Sequence, residues 1–297
     1  MTLNVFAANY WYAVQVSDRR LTLNGQPWDD NSNKCVVFMC RDAIVAITYT
    51  GLAYIGDLPT DAWIAGVLEA NHLPHRTIGW SIRVLCAAAT QAFNDGSVPQ
   101  SDLDSELTML VAGWQRKRHI CQSYAWTITN RPDGAPSPEF LFAYESGRRY
   151  ARPGEGWSGV IVGAASALDM QAWVRVRGRV EQERDPAQIV GLLLDVVRGS
   201  SEHPTLGHLI GKDCMAVVLP RHESEEIYSE YLPECGSPLS FTPQLVSPNF
   251  TMHDFMTVGG GLELRSRAFA FRVRAETTPH GFAGWALIPT PRQRRPK

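Results

Sequence analysis

Hydrophobic and polar positions alternate in short runs along the first 50 residues, and this pattern predicts β-strands. Turn chemistry separates the runs, at Asn24-Gly25-Gln26-Pro27 and at Arg41-Asp42. The predicted strands are 3–8, 11–16, 35–40 and 43–50. Two helices are expected next, because apolar residues then recur at helical spacing over 59–71 and 77–94.

The middle of the chain returns to strands and ends in one further helix. Strands are predicted at 106–114 and 121–129, joined by a basic turn at 115–118, and later at 159–164 and 215–219. The segment 130–158 is expected to be a long loop in which 140–144 can form a short strand. Asp185 followed by Pro186 predicts a capped helix that ends near Gly199.

This order of elements predicts an α+β layered domain over 1–219 and a separate extension over 220–297. Beyond Pro220 the sequence is β-leaning and punctuated by prolines, and it ends in a polar tail at 291–297. Hydrophobic residues make up 44% of the chain and charged residues 20%, as in ordinary globular proteins. We therefore expect a folded α+β protein with a β-rich carboxyl-terminal extension.

Charge and cysteine usage exclude several classes of partner. The formal net charge of -2 predicts no nucleic-acid partner and no attraction to anionic membranes. The apolar stretch 77–94 is amphipathic and contains Arg83, so no membrane span is expected. The six cysteines are scattered, no C-x-x-C pair predicts a metal site, and no organic cofactor is implied. The amino-terminal residues lack the pattern of a secretory signal, which favours a cytoplasmic location.

Three residues carry the candidate chemistry: Thr2, Asp18 and Lys34. A threonine that becomes amino-terminal after removal of Met1 has a nucleophilic hydroxyl and an α-amine that titrates at roughly 7.7 to 8.0 in model peptides. A lysine ammonium nearby would stabilise the alkoxide, and an aspartate beside it would keep the lysine in place and charged. Adjacent strands are sufficient to bring such residues together.

The same residues resemble the beginning of proteasome β-type subunits and their bacterial relatives, within the N-terminal nucleophile hydrolases. The resemblance rests on three segments, 1–5, 16–20 and 33–38, in which Asp18 lies 16 residues and Lys34 lies 32 residues after Thr2. Arg20 falls on the arginine that follows the aspartate in this family. The segment 49–53 is similar to the one whose glycine N–H helps to form the oxyanion hole, and this places Gly51 in that role.

The resemblance implies a four-layer αββα sandwich and hydrolysis of an amide through an ester on Thr2. It also implies a peptide or small amide substrate and assembly into homo-oligomeric rings, without a metal or organic cofactor. At two supporting positions the sequence departs from the family. A Gly-Ser-Gly-like turn is replaced by Gly163-Ala164-Ala165, so that the supporting hydroxyl is missing unless Ser166 supplies it, and an Asp-x-x-Ser-Gly pattern is absent from 206–212.

Three functions remain open from the sequence. The first is a cytoplasmic threonine peptidase or amidohydrolase that uses Thr2, Asp18, Lys34 and Gly51. The second is a catalytically silent proteasome-like subunit with a role in assembly or binding. The third is an amidase for small molecules that uses the same nucleophile. Removal of Met1 separates the first from the second, because a retained methionine blocks the amine of Thr2.

Overall fold

A computed structural model gives the arrangement of most of the chain. It describes residues 2–23, 25–30, 32–71, 73, 75–99, 106–222, 225–234, 243–247, 250–252, 263–264, 271–278 and 281–289. The α-helices are α1 Thr60–Asn71, α2 Ile78–Asn94, α3 Met170–Val180 and α4 Pro186–Ser200. The strands are β1 Leu3–Ala8, β2 Tyr12–Asp18, β3 Leu21–Leu23, β4 Gln26–Asp29, β5 Cys35–Cys40, β6 Ala43–Gly51, β7 Tyr54–Ile55, β8 Leu58–Pro59, β9 Leu107–Lys117, β10 Ile120–Thr129, β11 Leu141–Arg149, β12 Ser158–Gly163, β13 Cys214–Pro220, β14 Ile227–Leu232, β15 Gln244–Ser247, β16 Phe250–Met252, β17 Glu263–Leu264, β18 Phe271–Thr278 and β19 Gly281–Pro289.

Two large sheets organise these strands. In the described ranges the first has eight strands in the order β12-β1-β2-β13-β14-β19-β18-β17. The second has seven, in the order β11-β10-β9-β6-β5-β15-β16. All pairs in both sheets are antiparallel except β5 with β15, which is parallel. The predicted α+β class is confirmed.

Apolar side chains from these elements form three clusters. One cluster joins α1 and α2 to the second sheet, through residues such as Ile64, Leu85 and Val111. A second joins side chains of both sheets, among them Phe6 and Trp114. The third comprises residues of the first sheet together with α3 and α4. The helices α1 and α2 therefore pack against the second sheet, and α3 and α4 pack against the first.

Most predicted elements of the first half occur close to their expected bounds. The run 3–8 is β1 and the run 35–40 is β5, with unchanged ends. Asp185 caps α4 as predicted, since its side chain accepts a hydrogen bond from Ala187 N at 2.9 Å. None of the helices in the described ranges combines the length and apolar character that crossing a bilayer requires.

Two of the longer elements differ from the sequence expectation. The segment 130–158, expected to be a loop in which 140–144 can form a short strand, contains the nine-residue edge strand β11, whose residues are mostly exposed. Helix α3 was not expected, and of its residues Val176 and Val180 alone are buried. In both cases the element buries too few side chains on one face to leave a clear period in the sequence.

Strands that follow Pro220 extend both large sheets. In the first sheet β14 pairs with β13 and with β19. In the second sheet β15 pairs with β5, with Gln244 opposite Val36. Strand β15 therefore lies beside β5, the strand that directly follows Lys34.

Candidate active site

The ends of three strands bring Thr2, Asp18 and Lys34 together. Thr2 directly precedes β1, Asp18 is the last residue of β2, and Lys34 directly precedes β5. All three are buried, with exposed fractions of 4%, 0% and 1%. The structure thus brings Asp18 and Lys34, which lie 16 and 32 residues after Thr2 in the sequence, together with Thr2.

The Lys34 ammonium is the centre of this cluster. Its Nζ contacts Thr2 Oγ1 and the carbonyl oxygen of Arg20. It also lies 3.4 Å from Asp18 Oδ1, so that three oxygen atoms surround the nitrogen. An ammonium has three N–H donors, and each can therefore be directed at one of these acceptors.

Asp18 is held by the backbone as well as by Lys34. Its Oδ2 accepts from Leu3 N at 2.6 Å, and its Oδ1 accepts from Arg20 N at 2.9 Å. The Arg20 side chain turns away to Asp30, with Nε to Oδ1 at 2.5 Å. Asp18 therefore fixes the residue next to Thr2 and the position of Lys34 together.

Burial changes the protonation chemistry of Lys34. Complete desolvation lowers its pKa below the ordinary value, while the charge of Asp18 and its hydrogen bond oppose this shift. In the neutral amine, two N–H groups can donate to Asp18 and Arg20 while the lone pair accepts the hydroxyl proton of Thr2. The same heavy-atom arrangement thus suits both a charge-stabilising ammonium and a proton-accepting amine.

Thr50 is a site residue that the sequence did not reveal. Thr2 N donates to Thr50 Oγ1 at 3.1 Å, and the same hydroxyl donates to Thr2 O at 3.3 Å. Ser166 is exposed, on the short 3-10 helix Ala165–Ala167. The hydroxyl beside the nitrogen of Thr2 therefore comes from β6 and not from the turn where the resemblance placed it.

Gly51 directly follows Thr50 at the end of β6, where the backbone permits only glycine. Its φ is +98°, and a Cβ would lie 1.7 Å from the carbonyl oxygen of Glu106. The next residue, Leu52, donates its N–H to that oxygen at 3.0 Å. Gly51 thus lies next to a residue that contacts Thr2.

Gly163, the last residue of β12, lies against the carbonyl group of Thr2. It pairs with Leu3 in the β1–β12 ladder, and Ala164 N donates to Thr2 O at 3.0 Å. Gly163 has a φ of +96°, and a Cβ would lie 1.8 Å from Thr2 O and 3.0 Å from Thr50 Oγ1. The Gly163-Ala164 segment thus positions Thr2 through backbone contacts, although it lacks a serine.

A second buried group, Asp61, anchors the residue before Lys34. Asp61 Oδ2 accepts from Asn33 Nδ2 at 2.8 Å and from Gln244 Nε2 at 2.9 Å. Asn33 Oδ1 accepts from Cys35 N at 3.2 Å, which fixes the chain on both sides of Lys34. Burial raises the pKa of Asp61, while these amide donors oppose the shift.

Metal ligation has no clear candidate in the part of the chain that the structure describes. Among those residues, no three histidine, cysteine, aspartate or glutamate side chains converge to hold an ion. The described side chains around Thr2 supply a hydroxyl, an amine and a carboxylate in a buried setting.

The described residues define an α+β chain with a buried threonine, lysine and aspartate cluster at the ends of adjacent strands. No protein-family model and no curated protein matches the sequence. Among solved structures it is similar to an Anbu (ancestral beta-subunit) from Yersinia bercovieri, with a TM-score of 0.48, 15% identity, and coverage of 74% of this chain and 82% of that one. It is also similar to an Anbu (Gly-1) mutant from Hyphomicrobium sp. strain MC1, with a TM-score of 0.45, 13% identity, and coverage of 74% and 82%.

These comparisons correct the family suggested by the sequence. Both of these structures are Anbu proteins and are not proteasome β-type subunits. The assignment to proteasome β-type subunits is therefore wrong. Similarity at these values carries no argument about the activity of this chain, so a functional conclusion depends on the site itself.

Proposed function

We propose that this chain is a threonine-type N-terminal nucleophile hydrolase that cleaves a peptide or other amide bond after removal of Met1. The observation that carries the proposal is the buried contact between Lys34 Nζ and Thr2 Oγ1, supported by Asp18. This contact brings a hydroxyl within reach of an amino group that can exchange a proton with it. A nucleophile needs a proton acceptor within hydrogen-bond reach, and Lys34 meets that need.

The proposed reaction begins with attack by Thr2 Oγ on the carbonyl carbon of the amide. The hydroxyl proton passes to Lys34 Nζ or to the α-amine of the processed Thr2, and the carbonyl oxygen becomes an oxyanion. The Gly51 N–H is the proposed oxyanion donor, because Gly51 follows the residue whose hydroxyl contacts Thr2. The tetrahedral intermediate expels the amine, which takes up the proton, and leaves an ester on Thr2.

Water completes the cycle. The α-amine of Thr2 takes a proton from the attacking water, the ester C–O bond breaks, and the proton returns to Thr2 Oγ as the acid product leaves. Thr50 Oγ1 lies 3.1 Å from the nitrogen that becomes this amine. Thr50 is therefore proposed to hold the amine in place during both halves of the reaction.

The wider architecture is part of the proposal. The three apolar clusters support a four-layer αββα arrangement, in which helices cover the outer face of each sheet. Residues 220–297 are proposed to be an extension of the domain 1–219, since β14 and β15 add to its sheets. Assembly into a homo-oligomer and a cytoplasmic location stay predictions from the sequence.

Mass spectrometry with an electrophilic threonine probe tests the proposal. The purified chain is sequenced from its amino terminus, treated with a peptide epoxyketone or β-lactone, and its intact mass is measured. The expected result is a chain that begins at Thr2 and carries one adduct. Thr2→Ala should abolish the adduct, Thr2→Ser should retain it, and Thr205→Ala, which alters an exposed threonine, should label like the wild type.

The opposite result identifies a different kind of protein. A chain that keeps Met1, or one that is trimmed but unlabelled by either probe, would be a catalytically silent protein with a binding or assembly role. Labelling that persists in Thr2→Ala would place the nucleophile elsewhere. Hydrolysis of small amides without hydrolysis of peptides would favour the small-molecule amidase.

A further inference from the structure

A second pocket lies far from Thr2, between α2 and the strands β9, β10 and β11. Its volume is about 350 Å³, which is within the range of small-molecule sites. In the β6–β9 ladder, Gln115 of the pocket lies opposite Ala43, whereas Leu107 lies opposite Gly51 of the candidate active site. Eight strand positions separate these pairs, a distance of roughly 27 Å.

Two of the side chains that line this pocket each have a buried polar atom without a hydrogen-bond partner among the described residues. These atoms are Tyr124 Oη and Trp126 Nε1, and no described residue accepts from either. Tyr124 is only 3% exposed, and its burial raises the pKa of the phenol, so that the hydroxyl keeps its proton. Buried donors without acceptors are rare in folded proteins, and their presence in a pocket points to an acceptor supplied from outside.

The remaining polar groups of the pocket also favour an acceptor. Gln115 Oε1 accepts from Gln122 Nε2 at 3.3 Å, and Gln122 Oε1 accepts from Arg149 Nε at 3.4 Å. Lys117 and Arg83 line the same pocket, and neither forms a salt bridge with any residue in the described ranges. The amide oxygens are thus occupied, and Gln115 Nε2 donates to Asp42 Oδ2 at 3.2 Å, while the positive charges of Lys117 and Arg83 remain.

Aromatic rings form the walls. The Trp126 ring lies 5.9 Å from Tyr124, 5.6 Å from Phe142 and 5.4 Å from Tyr144, measured between centroids. Phe142 and Tyr144 are 40% and 53% exposed, although both are large and largely apolar. Such walls suit a flat ring, because aromatic faces and edges both contribute favourable contacts.

We propose that this pocket binds a small aromatic carboxylate, with its ring between Trp126, Phe142 and Tyr144 and its carboxylate on Tyr124 Oη and Trp126 Nε1. A carboxylate supplies two acceptor oxygens, which matches the two unpartnered donors. Lys117 and Arg83 provide the positive potential that favours an anion over a neutral ring. The site is separate from the proposed hydrolase chemistry and does not depend on it.

Calorimetric titration of the full chain with 2-naphthoate tests the proposal, and 2-naphthamide is the neutral probe of the same shape. The expected result is saturable binding at one site per chain, with the amide at least about tenfold weaker, as hydrogen bonds to a charged acceptor are the stronger ones. Tyr124→Phe should weaken naphthoate about tenfold or more for the same reason. Tyr54→Phe, which alters an exposed tyrosine outside the pocket, should bind like the wild type.

Thermal unfolding of the same variants separates binding from folding. Tyr124→Phe removes a hydroxyl that has no partner in the described residues, so its melting temperature should not fall. If that variant does not fold, Trp126→Phe replaces it, because this change removes the other donor and keeps an aromatic wall. Absence of saturable binding, equal affinity for acid and amide, or wild-type affinity in the variant that folds would each overturn the proposal.

Discussion

A methyl group at Gly163 would press directly on the carbonyl of Thr2. In the Gly163→Ala variant the added Cβ would lie 1.8 Å from Thr2 O, whereas ordinary contacts begin at 3.4 Å. The added Cβ or the carbonyl group of Thr2 must therefore move by about 1.6 Å. The carbonyl belongs to the backbone, so no change of side-chain rotamer can relieve the collision. The same Cβ would lie 3.0 Å from Thr50 Oγ1, so the hydroxyl beside the nitrogen of Thr2 is displaced as well.

The size of the effect has two parts. An alanine at a φ of +96° carries conformational strain of about 1–2 kcal/mol. Displacement of Thr2 also weakens the hydrogen bond from Ala164 N, which adds about 1 kcal/mol. We expect a total loss of about 2–3 kcal/mol in the free energy of unfolding. Labelling of Thr2 should slow about 100-fold, because misplacement of a reacting group by about 1 Å has that effect.

Gly134→Ala provides the matched control. Gly134 also has a positive φ, of +81°, but a Cβ there would meet nothing within 4 Å. Urea unfolding of both variants separates backbone strain from collision, and the rate of probe labelling reports the position of Thr2. If Gly163→Ala loses no more stability than Gly134→Ala and labels at the wild-type rate, the contact between β12 and Thr2 does not position the nucleophile.

Three further variants test other contacts. Thr50→Val removes the hydroxyl that contacts Thr2 N and should slow probe labelling at least about tenfold without changing the processed terminus; an unchanged rate would exclude Thr50 from the site. Lys34→Met should flatten the dependence of stability on pH in urea unfolding between pH 7 and pH 10. Burial lowers the pKa of Lys34, so above that lowered value the Lys34 amine is protonated in the unfolded chain but not in the folded one. The stability of the wild type should therefore rise with pH up to about 10.5. Parallel plots of stability against pH for the two proteins would contradict this. Trp114→Phe removes the 2.8 Å bond from the indole N–H to Leu219 O in the cluster between the sheets and should cost about 2–4 kcal/mol; a loss under about 0.5 kcal/mol would show that the bond is dispensable.

The sequence predicted the elements whose burial follows a clear period. The strand β1 and the capped start of α4 were found because alternation and the Asp185-Pro186 pair are local signals. Only the first part of β11 was expected, as a short strand at 140–144, because its residues are mostly exposed on both faces. Helix α3 was missed because only two of its residues are buried. Short strands such as β3 and β4 were missed because too few residues alternate to give a period.

The candidate site was predictable only in part. Spacing from Thr2 suggested Asp18 and Lys34. In the structure Lys34 Nζ contacts Thr2 Oγ1, and Asp18 Oδ1 lies 3.4 Å from Lys34 Nζ. Thr50 gave no signal, because a threonine inside a run of buried strand residues has the same pattern as a core position. Its contact with Thr2 joins residues 48 positions apart through a sheet-to-sheet packing that no local pattern encodes.

The shared carboxylate of Asp61 has a consequence for how the protein is made. Asp61 Oδ2 binds Asn33, one residue before Lys34, and also Gln244, which lies 183 residues further along the chain. A ribosome adds about 5–20 residues per second, so Gln244 emerges roughly 10–40 s after Asp61. During that interval the buried acid lacks one of its amide donors. Strand β5, which directly follows Lys34, reaches its final surroundings only after Gln244 has been synthesised.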